Sequence, residues 1–415
     1  MKRKGVNDIE LLLSELDKQQ LCDFIRVECA NDRHFQQRFL SLGTGFLTSP
    51  KFSDYHARIM DVIEEFGDRH GYVEYSKTFR LNRAICQIID EADMAIQNYQ
   101  WDVAQTILDC IATSGEEILY CGDDSAGELG DILHYCFQKW HELSSDELLP
   151  EGKKSELFEL SLTHFAEGCL KGFDWWWDWI QMAIQLADDE EKQGRIIQEL
   201  DKVINIKGDE WGVNYNRQVA QRHKLEIMSK RGTPEEQFKF MYENVSNPDF
   251  RRRLLQMAWD RGDYKEVLRL AVDGATHDSN YAGLVNDWHK WELKVYLQTH
   301  DHAGSLRLYQ YFFFNGGRFG EEAYSMENIY GQMKSIVLED EWKDFVETLL
   351  NEAASSRSHF RMLFIYSQEK MWDRYMDYLR KSPVISELDE APEDVWKLYK
   401  DELIQLYTAC VKSFF

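Results

Sequence analysis

A short polar turn followed by an aromatic or imidazole ring recurs through the last third of this chain, and it limits what the chain can fold into. The copies are Arg261-Gly262-Asp263-Tyr264, His300-Asp301-His302, Glu339-Asp340-Glu341-Trp342 and Lys370-Met371-Trp372. Each follows an amphipathic stretch with a 3.6-residue period and precedes another. The rings are spaced by roughly 30 to 40 residues, the period of helix–turn–helix repeats. The pattern predicts an all-α fold, a helical-repeat superhelix of the tetratricopeptide or HEAT-like α-solenoid kind. In such a repeat the ring at the turn fills the wedge between two helices. On that reading, Trp342→Ala or Trp372→Ala costs roughly 3–5 kcal/mol.

The periodicity places helix pairs at 249–260 with 263–273, 283–298 with 302–314, 325–337 with 341–354, and 358–369 with 371–381. A capping helix follows near 393–412. Earlier helices are expected near 155–168, 175–187, 190–204 and 214–230. Asn98-Tyr99-Gln100-Trp101 repeats the turn signature in the first half. Thr233-Pro234-Glu235-Glu236 reads as a capping box with Pro at the first helical position. Asn247-Pro248-Asp249 reads as another helix start. Gly43 to Pro50 reads as a linker. The resulting division is an N-terminal helical hairpin (1–48), a helical region (49–232) and tetratricopeptide-like helix pairs (233–415).

The formal net charge is −25. A negative field of that size opposes binding to nucleic-acid phosphate. Two basic runs stand against it, Lys2-Arg3-Lys4 and Arg251-Arg252-Arg253, and both read as solvated charge clusters. The 8 cysteines show no CxxC pair. With no signal peptide and no long apolar run, they fit free thiols in a reduced, cytoplasmic protein away from membranes. No GxSxG elbow, phosphate loop or Rossmann glycine motif is present. Asn315-Gly316-Gly317 with Gly320 reads as a helix stop.

Three groups are candidates for function. The loop Cys121 to Asp131 gathers Asp123, Asp124, Glu128 and Asp131 among Gly122, Gly127 and Gly130, with Ser125 inside it. Its structural role is to cap a helix. The alternative, functional reading is a divalent-cation site, with Glu116 and Glu117 as the nearest further carboxylates, although the EF-hand spacing is missing. The run Trp175-Trp176-Trp177-Asp178-Trp179 puts four indoles in five residues. At about 100° per residue, Trp175 and Trp179 share a face and are expected to bury, leaving Trp176 or Trp177 partly open in a groove. An open Trp suits a partner anchor, and the plain reading is core packing. Trp288, with Trp291 and His289, poses the same choice on a smaller scale. The His134–His141 and His300–His302 pairs read as structural, since neither spacing closes a zinc site.

The run from Asp8 to Leu40, the box Cys121-Gly122-Asp123-Asp124-Ser125-Ala126-Gly127-Glu128-Leu129-Gly130 and the repeat-bearing C-terminal half resemble the α-helical region that follows the zinc finger in bacterial SWIM zinc-finger family proteins. The finger itself needs a CxCx(n)CxH set, and this sequence contains no CxC. The resemblance therefore implies a helical-repeat scaffold without cofactor or assigned activity, with Asp123, Asp124, Ser125, Gly127 and Gly130 as the shared motif.

These features point to a non-catalytic scaffold that binds a protein or peptide, favouring a basic one. Candidate contacts are Trp175, Trp176, Trp177, Trp179, Trp288, Arg251, Arg252 and Arg253. The alternatives are a metal-binding module or metal-dependent enzyme on the Asp123/Asp124 box and, third, a nucleic-acid-associated accessory protein.

Overall fold

The turn signature proves to be a backbone device. In the computed structural model, which describes residues 15–31, 51–208, 210–315, 324–356 and 358–413, new helices start at Trp101, Tyr264, His302, Trp342 and Trp372. Four of these five starts share one geometry. The residue two places before the ring is left-handed: Tyr99 (φ 59°), Gly262 (φ 70°), His300 (φ 55°) and Lys370 (φ 53°). The next N–H then reaches back five residues. Gln100 donates to Ala95 O at 2.8 Å, Asp263 to Ala258 O at 2.9 Å, Asp301 to Tyr296 O at 2.8 Å and Met371 to Tyr366 O at 2.8 Å. This closure satisfies an orphan carbonyl of the finished helix. Asp263 and Asp301 then cap the next helix, accepting from the N–H of Glu266 (3.1 Å) and Gly304 (2.9 Å). Ahead of Trp342 the turn closes differently, with Glu341 N–H donating to Leu338 O.

The described residues are all-α: 79% of them are helical, in 21 helices, and none is in a strand. The helices at the expected positions are Pro248–Asp260 and Tyr264–His277, Ala282–Gln298 and His302–Asn315, Met326–Ile336 and Trp342–Ser355, and His359–Gln368 and Trp372–Lys381. The closing helix is Glu393–Ser413. The capping box is formed as expected. Thr233 N–H donates to Glu236 Oε2 at 2.9 Å, and Glu236 N–H to Thr233 Oγ1 at 3.2 Å. Asn247 accepts from Asp249 N–H at 3.1 Å.

The rings at the turns are not uniform wedges. Trp342 is buried and packs edge-on against Tyr330 at 5.3 Å. Tyr264 and Trp372 are half-buried, and His302 is exposed. The backbone bond closes the turn without them, so the large cost expected for Trp372→Ala does not apply to a ring that keeps part of its surface in water.

Two compact units divide the chain, Met1–Gln237 and Phe238–Phe415. The division runs through the helix Pro234–Glu243, a few residues beyond the boundary read at 233. The boundary at 48/49, the linker from 43 to 50, the basic run at 2–4 and the glycines at 316–320 lie outside the described residues. The first unit centres on the helix Trp176–Leu186, which packs against Glu151–Glu167, Glu128–Ser144 and Glu190–Ile204. The second unit has its own core, around Phe312, Phe313, Tyr330, Met333 and Leu349. Among the described residues no helix is long and apolar enough to cross a membrane.

A left-handed conformation disfavours any residue with a Cβ. His300→Gly is therefore expected to raise stability by roughly 0.5–1 kcal/mol, while Gly262→Val lowers it by about 1 kcal/mol or more. Urea denaturation of the two variants checks both signs.

Candidate functional site

The acidic loop is placed by a clasp to a distant residue. Val73 N–H donates to Cys121 O at 2.8 Å, and Asp123 N–H to Val73 O at 3.1 Å. Only glycine fits between them, because a Cβ on Gly122 would lie 2.5 Å from Val73 O. Asp123 then turns the chain, its Oδ1 accepting from Ser125 N–H at 2.9 Å and from the Ser125 hydroxyl. The hydroxyl bond, followed by the backbone bond, holds the Asp123 carboxyl below its ordinary range. Gly127 is left-handed at φ 79°, immediately before the helix Glu128–Ser144. Asp124 caps that helix with both oxygens: Oδ1 accepts from Leu129 N–H at 2.7 Å and Oδ2 from Gly130 N–H at 3.1 Å. Its charge also suits the positive end of the helix dipole. Asp124 is thus committed to the backbone. Among the described residues no three His, Cys, Asp or Glu side chains gather around a metal-sized point.

The tryptophan run reverses the expectation at its first members. Trp176, Trp177 and Trp179 are buried, and Trp175 is the half-open ring. Trp175 precedes the helix, which begins at Trp176. The helix is enclosed on most sides, so a two-face argument fails: eight of its eleven residues are buried. Trp176 stacks on Phe165 at 4.6 Å and donates to Phe165 O at 2.9 Å. Trp177 stacks on His223 at 5.7 Å. Trp179 meets Phe137 at 5.0 Å, Trp140 at 5.8 Å and His164 at 4.6 Å. These three are core and offer no partner contact.

Trp175 does something the sequence did not announce. A Cβ built on Gly130 would lie 3.5 Å from its ring and 3.5 Å from Asp124 Oδ2. The open indole therefore lies against the start of the helix that Asp124 caps. Two motifs far apart in sequence meet at one place. The aromatic surface continues from there. Phe173 is 6.2 Å from Trp175, and the exposed Tyr120 is 6.0 Å from Phe173. On the other side the exposed Asp174 accepts from Tyr215 OH at 3.2 Å. Tyr215 stacks on Trp211 at 5.4 Å, and Trp211 is 71% exposed. Exposed Glu116 and Glu117 sit on the short helix that ends at Tyr120. The result is an aromatic strip edged by carboxylates.

In the second unit, Trp288 is fully buried and donates to Asp278 Oδ2 at 2.7 Å. Arg251 is buried too, contrary to a solvated turn. It donates to Leu270 O at 2.8 Å and its guanidinium stands 5.7 Å from the Trp288 ring. Burial pulls this guanidinium down from its ordinary value. Arg252 pairs with Asp249 (3.0 Å) and Asp287 (2.9 Å). Arg253 is exposed. The three arginines point to different surroundings and form no common basic patch.

One grouping resembles nucleophilic machinery. His164 Nε2 meets Asp109 Oδ1 at 2.7 Å, and Cys169 follows five residues after His164. The Cys169 thiol donates to Ala112 O at 3.8 Å, and burial pushes it up to about 11. A thiol held neutral in this way is a poor nucleophile. His141 is paired with Asp178 at 3.0 Å and His134 is exposed.

The chain matches no protein-family model, no curated protein and no solved structure. Its site residues are therefore read from their geometry.

Two outcomes follow. Trp179→Ala is expected to destabilise the protein by roughly 3–5 kcal/mol, and the half-open Trp175→Ala by about half that or less, as read by urea denaturation. Burial also pushes Cys86, Cys110 and Cys121 up to about 11, like Cys169, from an ordinary value of 9.0. The unfolded chain ionises these thiols first, so their stabilising contribution is full below pH 9 and is lost as pH rises through about 11. Under reducing conditions the urea midpoint should fall across that window. Replacing the four cysteines by serine should flatten the fall.

Proposed function

We propose that this chain is a non-catalytic protein-binding scaffold of the helical-repeat, α-solenoid kind, and that it holds a basic, partly apolar segment of a partner protein. The observation that carries the reading is the meeting of the half-open Trp175 with the Asp123–Gly130 loop. There the partly buried Trp175 and Phe173 and the exposed Tyr120 lie near the acidic loop and the short helix that carries the exposed Glu116 and Glu117. Such a surface suits Lys or Arg side chains, whose charge is drawn to the carboxylates and whose cationic heads stack on indole and phenol faces. The net charge of −25 adds steering toward a basic partner. The repeated turn supports the scaffold part of the reading, since helix-pair arrays serve mainly as extended binding surfaces. We extend to the chain the resemblance with the helical region of SWIM zinc-finger family proteins in that sense alone, as a scaffold.

The test is affinity purification from native cells at several salt concentrations, using the wild-type chain beside a Tyr120→Ser/Trp211→Ser variant. Both replaced residues are more than 70% exposed, so the fold is retained. A stoichiometric protein partner is expected with the wild type. It should weaken as salt rises and be lost with the variant. If no stoichiometric partner appears at any salt, or if it binds the variant equally, the proposal is wrong.

A further inference from the structure

A second candidate site lies in the second unit and owes nothing to the aromatic strip. The helices Tyr264–His277, Ala282–Gln298 and His302–Asn315 frame a cleft of about 440 Å³. That is within the usual range for small-molecule sites. Its floor is Glu292, whose side chain is only 3% exposed. A carboxylate so deeply buried is rare without full pairing.

The pairing here is incomplete. Glu292 Oε1 meets His289 Nδ1 at 2.8 Å, and the His289 ring is itself held edge-on against Tyr311 at 4.5 Å. Glu292 Oε2 lies 3.6 Å from Arg307 Nη2, too far for a good hydrogen bond. The same nitrogen donates to Tyr296 OH at 3.2 Å instead. The Arg307 side chain is 65% exposed at the mouth of the cleft and keeps donors open to solvent. The exposed Val272 gives the cleft an apolar rim, and the buried Leu308 lies beneath it. A buried anion with one oxygen under-served thus sits beside a cation with free donors, and the two are close enough for one small molecule to span.

We infer that this cleft binds a free α-amino acid with an apolar side chain. The ligand's ammonium engages Glu292 Oε2, its carboxylate engages Arg307, and its side chain lies between Val272 and Leu308. The arrangement selects for both charges at once. A lone cation drawn to Glu292 meets Arg307 at close range, and a lone anion drawn to Arg307 meets Glu292. A zwitterion interleaves with the resident pair, so that each charge has opposite neighbours. Charge-assisted bonds of this kind are the strong ones.

The experiment is calorimetric titration of the full chain with L-leucine, L-methionine and L-phenylalanine. At least one should bind saturably, with a dissociation constant below about 1 mM. 4-Methylpentanoate lacks the ammonium and 3-methylbutylamine lacks the carboxylate. Each should bind at least about tenfold more weakly than leucine. Glu292→Gln keeps the shape and removes the charge, and Arg307→Gln removes the exposed partner. Each should weaken binding of the tightest amino acid by about tenfold or more. The exposed Arg307 site decides the matter if the buried variant fails to fold. The inference is overturned if none of the three amino acids gives a saturable signal, if either half-ligand binds as well as leucine, or if Arg307→Gln leaves binding unchanged.

Discussion

The helix turns that precede Trp101, Tyr264, His302 and Trp372 depend on one backbone hydrogen bond. An N–H reaches back five residues to a helix carbonyl, past a residue in the left-handed region, and the next helix begins at once. The bond reverses the chain within about three residues and leaves no long loop to order. It also explains how Tyr99, Gly262, His300 and Lys370 can occupy equivalent places. The backbone sets the turn, and the side chain there is free to vary within a modest strain. Helix pairs joined in this way must still bury their apolar faces on neighbours. In the first unit that requirement converges on Trp176–Leu186, and in the second on the ring cluster around Phe312, Phe313 and Tyr330.

The same economy of backbone contacts positions the candidate surface. Asp124 gives both oxygens to helix N–H groups, and Gly122 lets the loop lie against Val73. Neither feature is chemistry in itself. Together they hold the loop beside Trp175, which packs partly buried against the core just before the enclosed helix. Its neighbours Phe173 and Tyr120 extend this ring into a surface.

Much of this was legible in the sequence, for local reasons. Helix starts at Trp101, Tyr264, His302, Trp342 and Trp372 follow from turn chemistry and the 3.6-residue period, which act over a few residues. The capping box at Thr233 and Glu236 and the cap at Asn247 are likewise local. What escaped was non-local. Periodicity assigns Trp175 and Trp179 to one face. It does not say that the helix starts one residue later or that it is surrounded. The burial of Arg251 depends on Gly274, where a Cβ would lie 2.7 Å from the arginine side chain. Glu292 did leave a trace. It stands four residues after Trp288 and three before Val295, both buried, so a carboxylate occupies the apolar stripe of its helix. That mismatch was the available signal for the cleft.

The aromatic strip draws on residues 116 to 124, 173 to 175 and 211 to 215, and the clasp at Val73 adds a fourth distant segment. No local stretch of chain contains it. The unfolded or partly folded chain therefore lacks the surface altogether, and whatever settles there reads the completed first unit and nothing less. Occupancy then feeds back as a folding term, since a ligand of the native state alone shifts the folding balance by mass action. For the partner proposed above, association would be conditional on correct assembly, and assembly would in turn be reinforced by association.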